Sequence, residues 1–141
     1  MPITLPDTNV LNYIPQRLPI VMIDTLVRAE GAVTETSLTI QQDTLFVKDS
    51  VFHEPGLIEN IAQTAAAGVG YACAVTNTSV PVGFIGAIKN LTIQYLPKVG
   101  DTLHTRVEVL EEIFDMTLIK GESFVGTTLA ASCEMKIVLK K

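Results

Sequence analysis

Charged side chains are scarce in this sequence of 141 residues: Asp, Glu, Lys and Arg make up 18% of it, against 48% hydrophobic residues. This balance excludes an intrinsically disordered chain, which combines low hydrophobicity with high charge. The length predicts a single domain, residues 1–141, that can bury a proper hydrophobic core. Because so few charges are available to cover a monomer, we expect part of the surface to be buried against a partner subunit.

Basic residues are too few for a nucleic-acid-binding protein. The formal net charge is -5 at pH 7, whereas binding to a phosphate backbone requires a basic face. An acidic carrier protein could still dock on a local basic patch, for which Arg17 and Lys89 are candidates.

The elements of several common sites are missing. Cys73 and Cys133 are the only cysteines, and their apolar sequence surroundings favour buried free thiols over a disulfide. The sequence has no ligands at metal-binding spacing, no glycine-rich phosphate loop and no nucleophile elbow. We therefore expect a protein that uses no metal and no cofactor.

Long hydrophobic runs are also missing. The longest, at residues 65–75, is much shorter than the roughly 20 residues that a transmembrane helix needs. No basic and then apolar leader stands at the N-terminus. These observations predict a cytoplasmic protein without membrane insertion.

Most of the chain alternates between apolar and polar residues, which predicts strands with one buried and one solvent-facing side. We predict strands at residues 20–27, 32–41, 82–96, 103–109 and 128–139, and one or two helical turns at 10–14. Turns are expected at Glu30-Gly31, at 99–101 and at Gly121-Glu122 or Gly126, and residues 43–50 are expected to be irregular. His104 falls on the polar side of its strand and is expected at the surface.

One segment, HEPGLIENIAQTAAAGVGYA at residues 53–72, has the composition of a buried helix. Pro55 is favoured in a first helical turn, and we predict a helix from Pro55 to about Val75. Its many Ala and Gly residues permit close approach of neighbouring backbones, and no charged stripe runs along it. The order of elements predicts an α+β fold in which a long antiparallel sheet of about six strands wraps around one buried central helix.

The polar groups of this helix lie mainly in its first turns. Glu59 and Gln63 are four residues apart on one face, with Asn60 beside them, and the C-terminal half is small and apolar. Polar first turns followed by an apolar C-terminal half suit a ligand with a reactive head group and a fatty tail. The alternative is a Glu59 that points to solvent at an exposed helix end, but a lone carboxylate in an apolar helix favours a functional site.

Three stretches resemble the 3-hydroxyacyl-acyl-carrier-protein dehydratases of bacterial fatty-acid synthesis. IPQRLPIVMID at residues 14–24 is similar to the family's L-P-H-R-x-P-x-L-L-x-D opening. PGLIENIAQ at 55–63 is similar to P-G-V-L-x-x-E-x-M-A-Q at the start of the family's central helix. FIGAIKN at 84–90, with LPKVGD at 96–101, is similar to the third strand and its P-x-x-G-D turn. The resemblance implies the hotdog fold, which is the layout described above.

Two departures from the family bear on the site. Gln16 stands where the family's opening has histidine, and the segment that carries the family's catalytic histidine is shortened. Counted forward from the preceding segment, the histidine position falls near Asp49; counted backward from the helix start, the nearest histidine is His53. In this shortened segment the chain resembles most closely the dehydratase-like proteins of aryl-polyene and flexirubin pigment clusters.

The resemblance implies loss of water from 3-hydroxyacyl thioesters of acyl carrier protein or CoA, in fatty-acid or polyene-like biosynthesis. It makes His53 the base for the C2 proton and Glu59 the group that orients or protonates the hydroxyl. The free backbone N–H of Gly56 would hold the thioester carbonyl, with Asn60 and Gln63 in the substrate site. Because the family's catalytic residues come from different subunits, we expect a homodimer, a higher oligomer of dimers or a heterodimer.

Two alternatives stay open. A non-catalytic hotdog subunit could bind acyl chains or complete a heterodimer, because a histidine displaced from the family's position can lose its function as a base. A hotdog acyl-thioesterase is the enzymatic rival, since a helix carboxylate can also activate water.

Overall fold

Strand formation follows the alternation of side chains along the chain. The computed structural model describes residues 3–140. Its elements are a 3₁₀ turn (Val10–Asn12), β1 (Thr25–Glu30), β2 (Val33–Thr39), β3 (Val47–Lys48), β4 (Val51–Phe52), α1 (Glu54–Val75), β5 (Val82–Ile93), β6 (Thr102–Ile113), β7 (Met116–Val125) and β8 (Thr128–Lys140). In β6, Leu103, Thr105 and Val107 are buried while His104 and Arg106 are exposed, so the predicted alternation and the surface position of His104 are confirmed.

The long strands form one six-stranded sheet in the order β1-β2-β6-β7-β8-β5, while β3 and β4 form a separate hairpin. Every neighbouring pair in the sheet is antiparallel. The inner side of the sheet packs on α1, chiefly through β2, β6 and β7, and Leu57 and Ile61 of the helix are fully buried there. The predicted α+β hotdog fold, with a long antiparallel sheet around one central helix, is confirmed.

The predicted helix is also confirmed, because α1 begins one residue before Pro55 and ends at Val75. A glycine brings it against the N-terminal segment: a Cβ atom at Gly70 would lie 1.6 Å from the carbonyl oxygen of Tyr13. The backbones of the helix and of the segment before β1 therefore touch, as the small residues of the helix predict.

The first predicted strand is wrong at its beginning, because β1 starts only at Thr25. The backbone before it bonds to side chains of α1 instead of to another strand. The N–H of Met22 donates to Gln63 Oε1 (2.7 Å), and Gln63 Nε2 donates to the carbonyl of Ile20 (2.8 Å). Asn60 Nδ2 donates to the carbonyl of Met22 (2.8 Å). The β-branched composition of this segment predicts a strand, but these two helix amides satisfy its backbone.

Gly121 was one of two predicted turn positions, but it lies inside β7. A Cβ atom at this position would lie 2.3 Å from Cγ2 of Ile61, so the glycine makes room for the central helix. The chain turns instead between β6 and β7, at Phe114-Asp115, and at Gly126, the other predicted position, which has a φ of 60°.

The two cysteines are free thiols, as predicted. Cys133 is buried in β8, and burial raises the pKa of its thiol to about 11. Cys73 is only half-buried, so the prediction of burial holds for one of the two. Within residues 3–140, no helix has the length and apolar character needed to cross a bilayer.

Candidate active site

Glu59 lies half-buried in the second turn of α1, on the wall of a cavity of about 920 Å³. Residues of α1, of the segment before β1 and of all six strands of the large sheet line this cavity, and Glu59 is the most N-terminal helix residue among them. Around it the helix contributes small apolar side chains and the sheet larger ones: Ala62, Ala66, Val69, Phe84, Ile137 and Leu139. A carboxylate beside apolar walls can serve a polar head group that carries an apolar tail.

Gln63 holds Glu59 in place. Gln63 Nε2 donates to Oε2 of Glu59 (2.7 Å) and to the carbonyl of Ile20, while its oxygen accepts from Met22 N–H. Both ends of this buried amide are therefore used within the chain. Gln63 fixes one carboxylate oxygen of Glu59 and leaves Oε1 available to a ligand.

Asn60 lies deeper than its neighbours and is 0% exposed. Its Nδ2 donates to the carbonyl of Met22 (2.8 Å), and its Oδ1 accepts from Thr105 Oγ1 (2.5 Å). The Asn60 amide therefore connects the helix to β6 and to the segment before β1. Substrate binding by Asn60 stays a prediction, but in this structure both ends of its side chain are occupied.

The backbone N–H of Gly56 is not free, and this part of the sequence-based prediction was wrong. It donates to the carbonyl of His53 (3.0 Å), which closes the first turn of α1. Gly56 is buried, and a Cβ atom there would lie 2.3 Å from the ring of Phe52. The structure thus gives this glycine a packing role at the helix start, and binding of the thioester carbonyl stays a prediction.

His53 is the N-cap residue of α1, and its side chain is 39% exposed. Its Nε2 lies 3.2 Å from the carbonyl oxygen of Lys48, and its Nδ1 lies 3.7 Å from the carboxylate of Glu54. Because a carbonyl can only accept, Nε2 carries the proton in the neutral ring and Nδ1 keeps the lone pair. The ring is therefore held in the tautomer in which Nδ1 can accept a proton.

The shortened segment before His53, which was predicted to be irregular, folds into the β3–β4 hairpin. Its two turn residues, Asp49 and Ser50, have φ values of 56° and 62°, the conformation of a two-residue hairpin turn. Asp49 is exposed at the tip of this turn. Of the two residues that compete for the family's histidine position, His53 is the one that lies against the helix.

One chain brings only one of the two predicted catalytic side chains to the cavity. Glu59 lines the cavity, and His53 is not among its lining residues. His53 has extended backbone (φ -89°, ψ 168°) and stands before the first turn of α1, whereas Glu59 lies in the second turn.

The sheet edge beside the cavity is strongly apolar. β5 is the last strand of the sheet, and several of its large side chains are exposed: Val82, Phe84, Ile85, Ile88 and Leu91. A free sheet edge is a template for pairing with another strand, and large exposed apolar patches mark interaction sites. This edge is therefore a candidate for the covered surface that the low charge content predicts.

Gln16 is a cavity residue that the sequence analysis did not assign to the site. It lines the same cavity as Glu59. Its side-chain Oε1 is buried and has no hydrogen-bond partner among residues 3–140. The signal that could have found it was its place in the opening motif, where the resembling family has histidine.

Comparison with known proteins agrees with the resemblance seen in the sequence. A family model described as ApeP-like, ApeP dehydratase, matches residues 8–140. Among solved structures the chain is similar to the dehydratase heterocomplex ApeI:P from Xenorhabdus doucetiae, with a TM-score of 0.87 and 16% identity over 98% of this chain and 93% of that chain.

Two other solved structures share the fold at lower similarity. One is an uncharacterized protein from Pyrococcus horikoshii, with a TM-score of 0.71 and 11% identity over 98% of this chain and 96% of that chain. The other is a hypothetical thioesterase protein from Streptococcus pneumoniae solved with coenzyme A, with a TM-score of 0.64 and 8% identity over 82% and 84%. At these identities the likeness concerns the fold.

Proposed function

Because the chain belongs to the ApeP-like dehydratase family, we propose that it removes water from 3-hydroxyacyl thioesters attached to acyl carrier protein or coenzyme A. The reverse reaction is hydration of the 2-enoyl thioester. The observation that carries the proposal is the Glu59 carboxylate on the wall of a largely apolar cavity of about 920 Å³. Such a cavity can hold an acyl tail, and a carboxyl group there can exchange a proton with a hydroxyl.

The elimination needs a base and an acid. The base removes the C2 proton, the released electron pair forms the C2=C3 double bond, and the C3–O bond breaks. Glu59, protonated at the start, gives its proton to the leaving hydroxyl, which departs as water. Gln63 already donates to Oε2 of Glu59, so Oε1 is the oxygen that holds this proton. The proton taken from C2 returns to Glu59 through solvent and completes the cycle.

His53 of a second copy of the chain is the proposed base. Its Nε2–H donates to the carbonyl of Lys48, and Nδ1 is left to take the C2 proton. The carboxylate of Glu54, 3.7 Å from Nδ1, would stabilise the imidazolium that forms. A second chain is needed because Glu59, but not His53, lines the cavity of its own chain.

The apolar edge at β5 supports pairing of two chains next to the cavity. In a homodimer paired along this edge, each of two sites would combine His53 of one chain with Glu59 of the other. A second candidate is a heterodimer in which this chain completes the site of a different hotdog chain. The similarity to a dehydratase heterocomplex supports the heterodimer as a second candidate.

Active-site complementation tests the proposal. Wild type, Glu59→Gln and His53→Ala are assayed for hydration of a 2-enoyl thioester, each alone and after the two variants are unfolded, mixed in equal amounts and refolded. Each variant alone should lose about a hundredfold or more in rate. The mixture should recover about a quarter of the wild-type activity, because about half of the dimers are mixed and each of these has one intact site of two.

The controls for this experiment are each variant refolded alone and wild type refolded alone. No recovery in the mixture would contradict a site shared between two copies of the chain. An inactive wild type would contradict a homodimeric enzyme and favour the heterodimer subunit. Release of free thiol from an acyl-CoA, without hydration of the enoyl thioester, would favour the thioesterase alternative, whose fold the chain shares.

A further inference from the structure

Glu112 is a second carboxylate on the wall of the cavity that contains Glu59. It lies in β6, close to the turn into β7, and its side chain is exposed, so a ligand in the cavity can reach it. The surrounding positions on this side of the sheet are apolar: Val109, Ile119, Ile137 and Leu139. A carboxylate at this position departs from the alternation that places polar residues on the outer side of a sheet.

A β-bulge in β6 points Glu112 inward. Two consecutive residues of β7, at positions 119 and 118, pair with Val109 and Glu111, so Leu110 is an extra residue in β6. Beyond an extra residue, the side chains of a strand exchange sides. The bulge therefore brings Glu112, and not Glu111, to the side of the sheet on which Val109 lies.

The neighbours of Glu112 show the same exchange of sides. Glu111 and Ile113 line a separate groove of about 240 Å³, whereas Glu112 lines the large cavity. Leu110 and Ile113 are each 46% exposed, and exposed apolar side chains forgo the stabilisation that burial gives. Bulges next to active sites commonly re-aim one side chain. This bulge gives up apolar burial and places a carboxylate in the cavity.

Glu112 and Glu59 lie towards different ends of the cavity. Glu112 pairs with Thr117 of β7, which also lines the cavity. Positions 117 and 121 of β7 are about 13 Å apart at the rise of a strand, and at Gly121 the strand contacts Ile61, in the helix turn that follows Glu59. Because an extended acyl chain advances about 1.3 Å per carbon, a tail of about ten carbons covers such a distance.

The lining of the cavity has carboxylates but no cationic side chain. Glu30, Glu59 and Glu112 line it, and no Lys, Arg or His of the described part of the chain does. Glu30 is paired with Arg28 (2.9 Å), whereas Glu112 forms no ion pair within residues 3–140. A carboxylate accepts hydrogen bonds and repels other anions. The end of the cavity at Glu112 therefore suits a ligand group that donates a hydrogen bond and opposes one that is negatively charged.

We propose that Glu112 selects the substrate by the group at the end of its acyl tail: it accepts a hydrogen bond from a terminal hydroxyl and excludes a terminal carboxylate. The inference rests on the proposed function, because it assigns the tail of the thioester to the cavity that contains Glu59. Thr117, at the paired position of β7, adds a hydroxyl that can both accept and donate. Glu59 thus acts on the head of the substrate, and Glu112 recognises its end.

Binding of three saturated acyl-CoA thioesters of equal length tests the inference. The ligands are decanoyl-CoA, ω-hydroxydecanoyl-CoA and the CoA monothioester of decanedioic acid, none of which has the 3-hydroxyl that the elimination removes. At low ionic strength, wild type should bind the dicarboxylic ligand about tenfold more weakly than decanoyl-CoA and the hydroxylated ligand about as tightly as decanoyl-CoA. Added salt should reduce the discrimination against the carboxylate, because it screens the repulsion.

Two substitutions separate the charge of Glu112 from its capacity to accept a hydrogen bond. Glu112→Gln removes the charge and keeps an acceptor, so the dicarboxylic ligand should bind within about twofold of decanoyl-CoA. Glu112→Leu removes both, and the hydroxylated ligand should then bind about fivefold more weakly than decanoyl-CoA. Glu111→Gln and Glu111→Leu make the same changes on the other side of the strand and should alter neither ratio.

Three results would overturn the inference: equal binding of all three ligands by wild type, no binding of any of them, or discrimination against the carboxylate that survives Glu112→Gln. Equal effects of the Glu111 and Glu112 substitutions would also overturn it. If the discrimination depends on Glu112 but wild type does not hydrate an enoyl thioester, the cavity belongs to a tail-binding subunit and the enzymatic proposal fails. If wild type hydrates the enoyl thioester but does not discriminate between end groups, the inference fails and the proposed function stands.

Discussion

Neighbouring polar side chains of α1 are used differently. Asn60 and Gln63 are fully buried, and both ends of each amide are hydrogen-bonded within the chain. At the cavity, Glu59 has one oxygen bonded to Gln63, and Gln16, which lines the same cavity, has a buried oxygen with no partner among residues 3–140. The buried amides of the helix are saturated, whereas the groups at the cavity are not.

This difference separates structural from functional polar groups. A saturated buried amide contributes by satisfying backbone groups that would otherwise be unpaired, and removing it is costly. An incomplete group contributes little to the folded chain and keeps its bonding capacity for a ligand. Substitutions of the buried groups should therefore change stability, and those of the groups at the cavity should change binding or rate.

The largest effect is expected at Gly70, where the neighbouring backbone leaves no space for a side chain. Gly70→Val would place a side chain where the carbonyl of Tyr13 now lies, since a Cβ atom would be 1.6 Å from that oxygen. Although valine is the better helix former, we expect a loss of about 3 kcal/mol or more in the free energy of unfolding. Urea denaturation at fixed protein concentration measures this loss.

Ala72→Val, at an exposed position that lines the cavity, is the matched control for Gly70→Val. It adds a branched side chain at an accessible position of the same helix and should change the free energy of unfolding by less than about 1 kcal/mol. Equal effects of the two substitutions would contradict the distinction between buried positions and positions at the cavity.

A smaller loss of stability is expected from Gln63→Met. The substitution keeps the size of the side chain but leaves the N–H of Met22 and the carbonyl of Ile20 without their partners. Unpaired backbone groups of this kind should lower the free energy of unfolding by about 2–3 kcal/mol. Hydration of an enoyl thioester should also fall, because Glu59 loses the donor that holds Oε2.

Gln16→Met is the control for this prediction, since it makes the same chemical change on the cavity side. Chemical denaturation of the two variants side by side should give a clear loss for Gln63→Met and none for Gln16→Met. If both variants lost stability to the same extent, the unpaired oxygen of Gln16 would have a structural partner in solution and the comparison would fail.

The overall architecture was predictable because its signals are local. Alternation along residues 103–109 and 128–139 and the absence of a charged stripe in 55–75 can each be recognised within one segment. Together they predict a sheet around a buried helix. The strand prediction began too early, at residues 20–24, because the hydrogen-bond partners of this segment are helix amides: Gln63 is 41 positions from Met22.

The assignment of site residues was less predictable for the same reason. The spacing of Glu59, Asn60 and Gln63 indicates a shared region of the helix. It cannot show which amide is hydrogen-bonded to a segment that is distant in the sequence. Gly56 was expected to have a free N–H, yet the carbonyl of His53 accepts from it. Gln16 stands where the resembling family has histidine, and only the folded chain shows that it lines the same cavity as Glu59 and that its side-chain oxygen is buried without a partner among residues 3–140.

The smallest effect is expected within the N-terminal segment that covers α1. Tyr13 Oη donates to the carboxylate of Asp7 (2.5 Å). This hydrogen bond lowers the pKa of Asp7 below 3.8, and burial together with the same carboxylate raises the pKa of Tyr13 from 10.0 to about 12. Tyr13→Phe keeps the ring contact with Tyr71 and should cost about 1 kcal/mol at neutral pH.

The pH dependence of this difference tests its origin. The lowered pKa of Asp7 gives a stabilisation that is present above pH 3.8 and is lost as the pH falls through the folded-state value. The raised pKa of Tyr13 gives a stabilisation that is present below pH 10.0 and is lost as the pH rises from 10.0 towards about 12. The gap in unfolding free energy between wild type and Tyr13→Phe should therefore be widest between these limits and narrow on both sides. A gap that is constant with pH would contradict this origin, because neither the carboxyl nor the phenol would then change its proton affinity on folding.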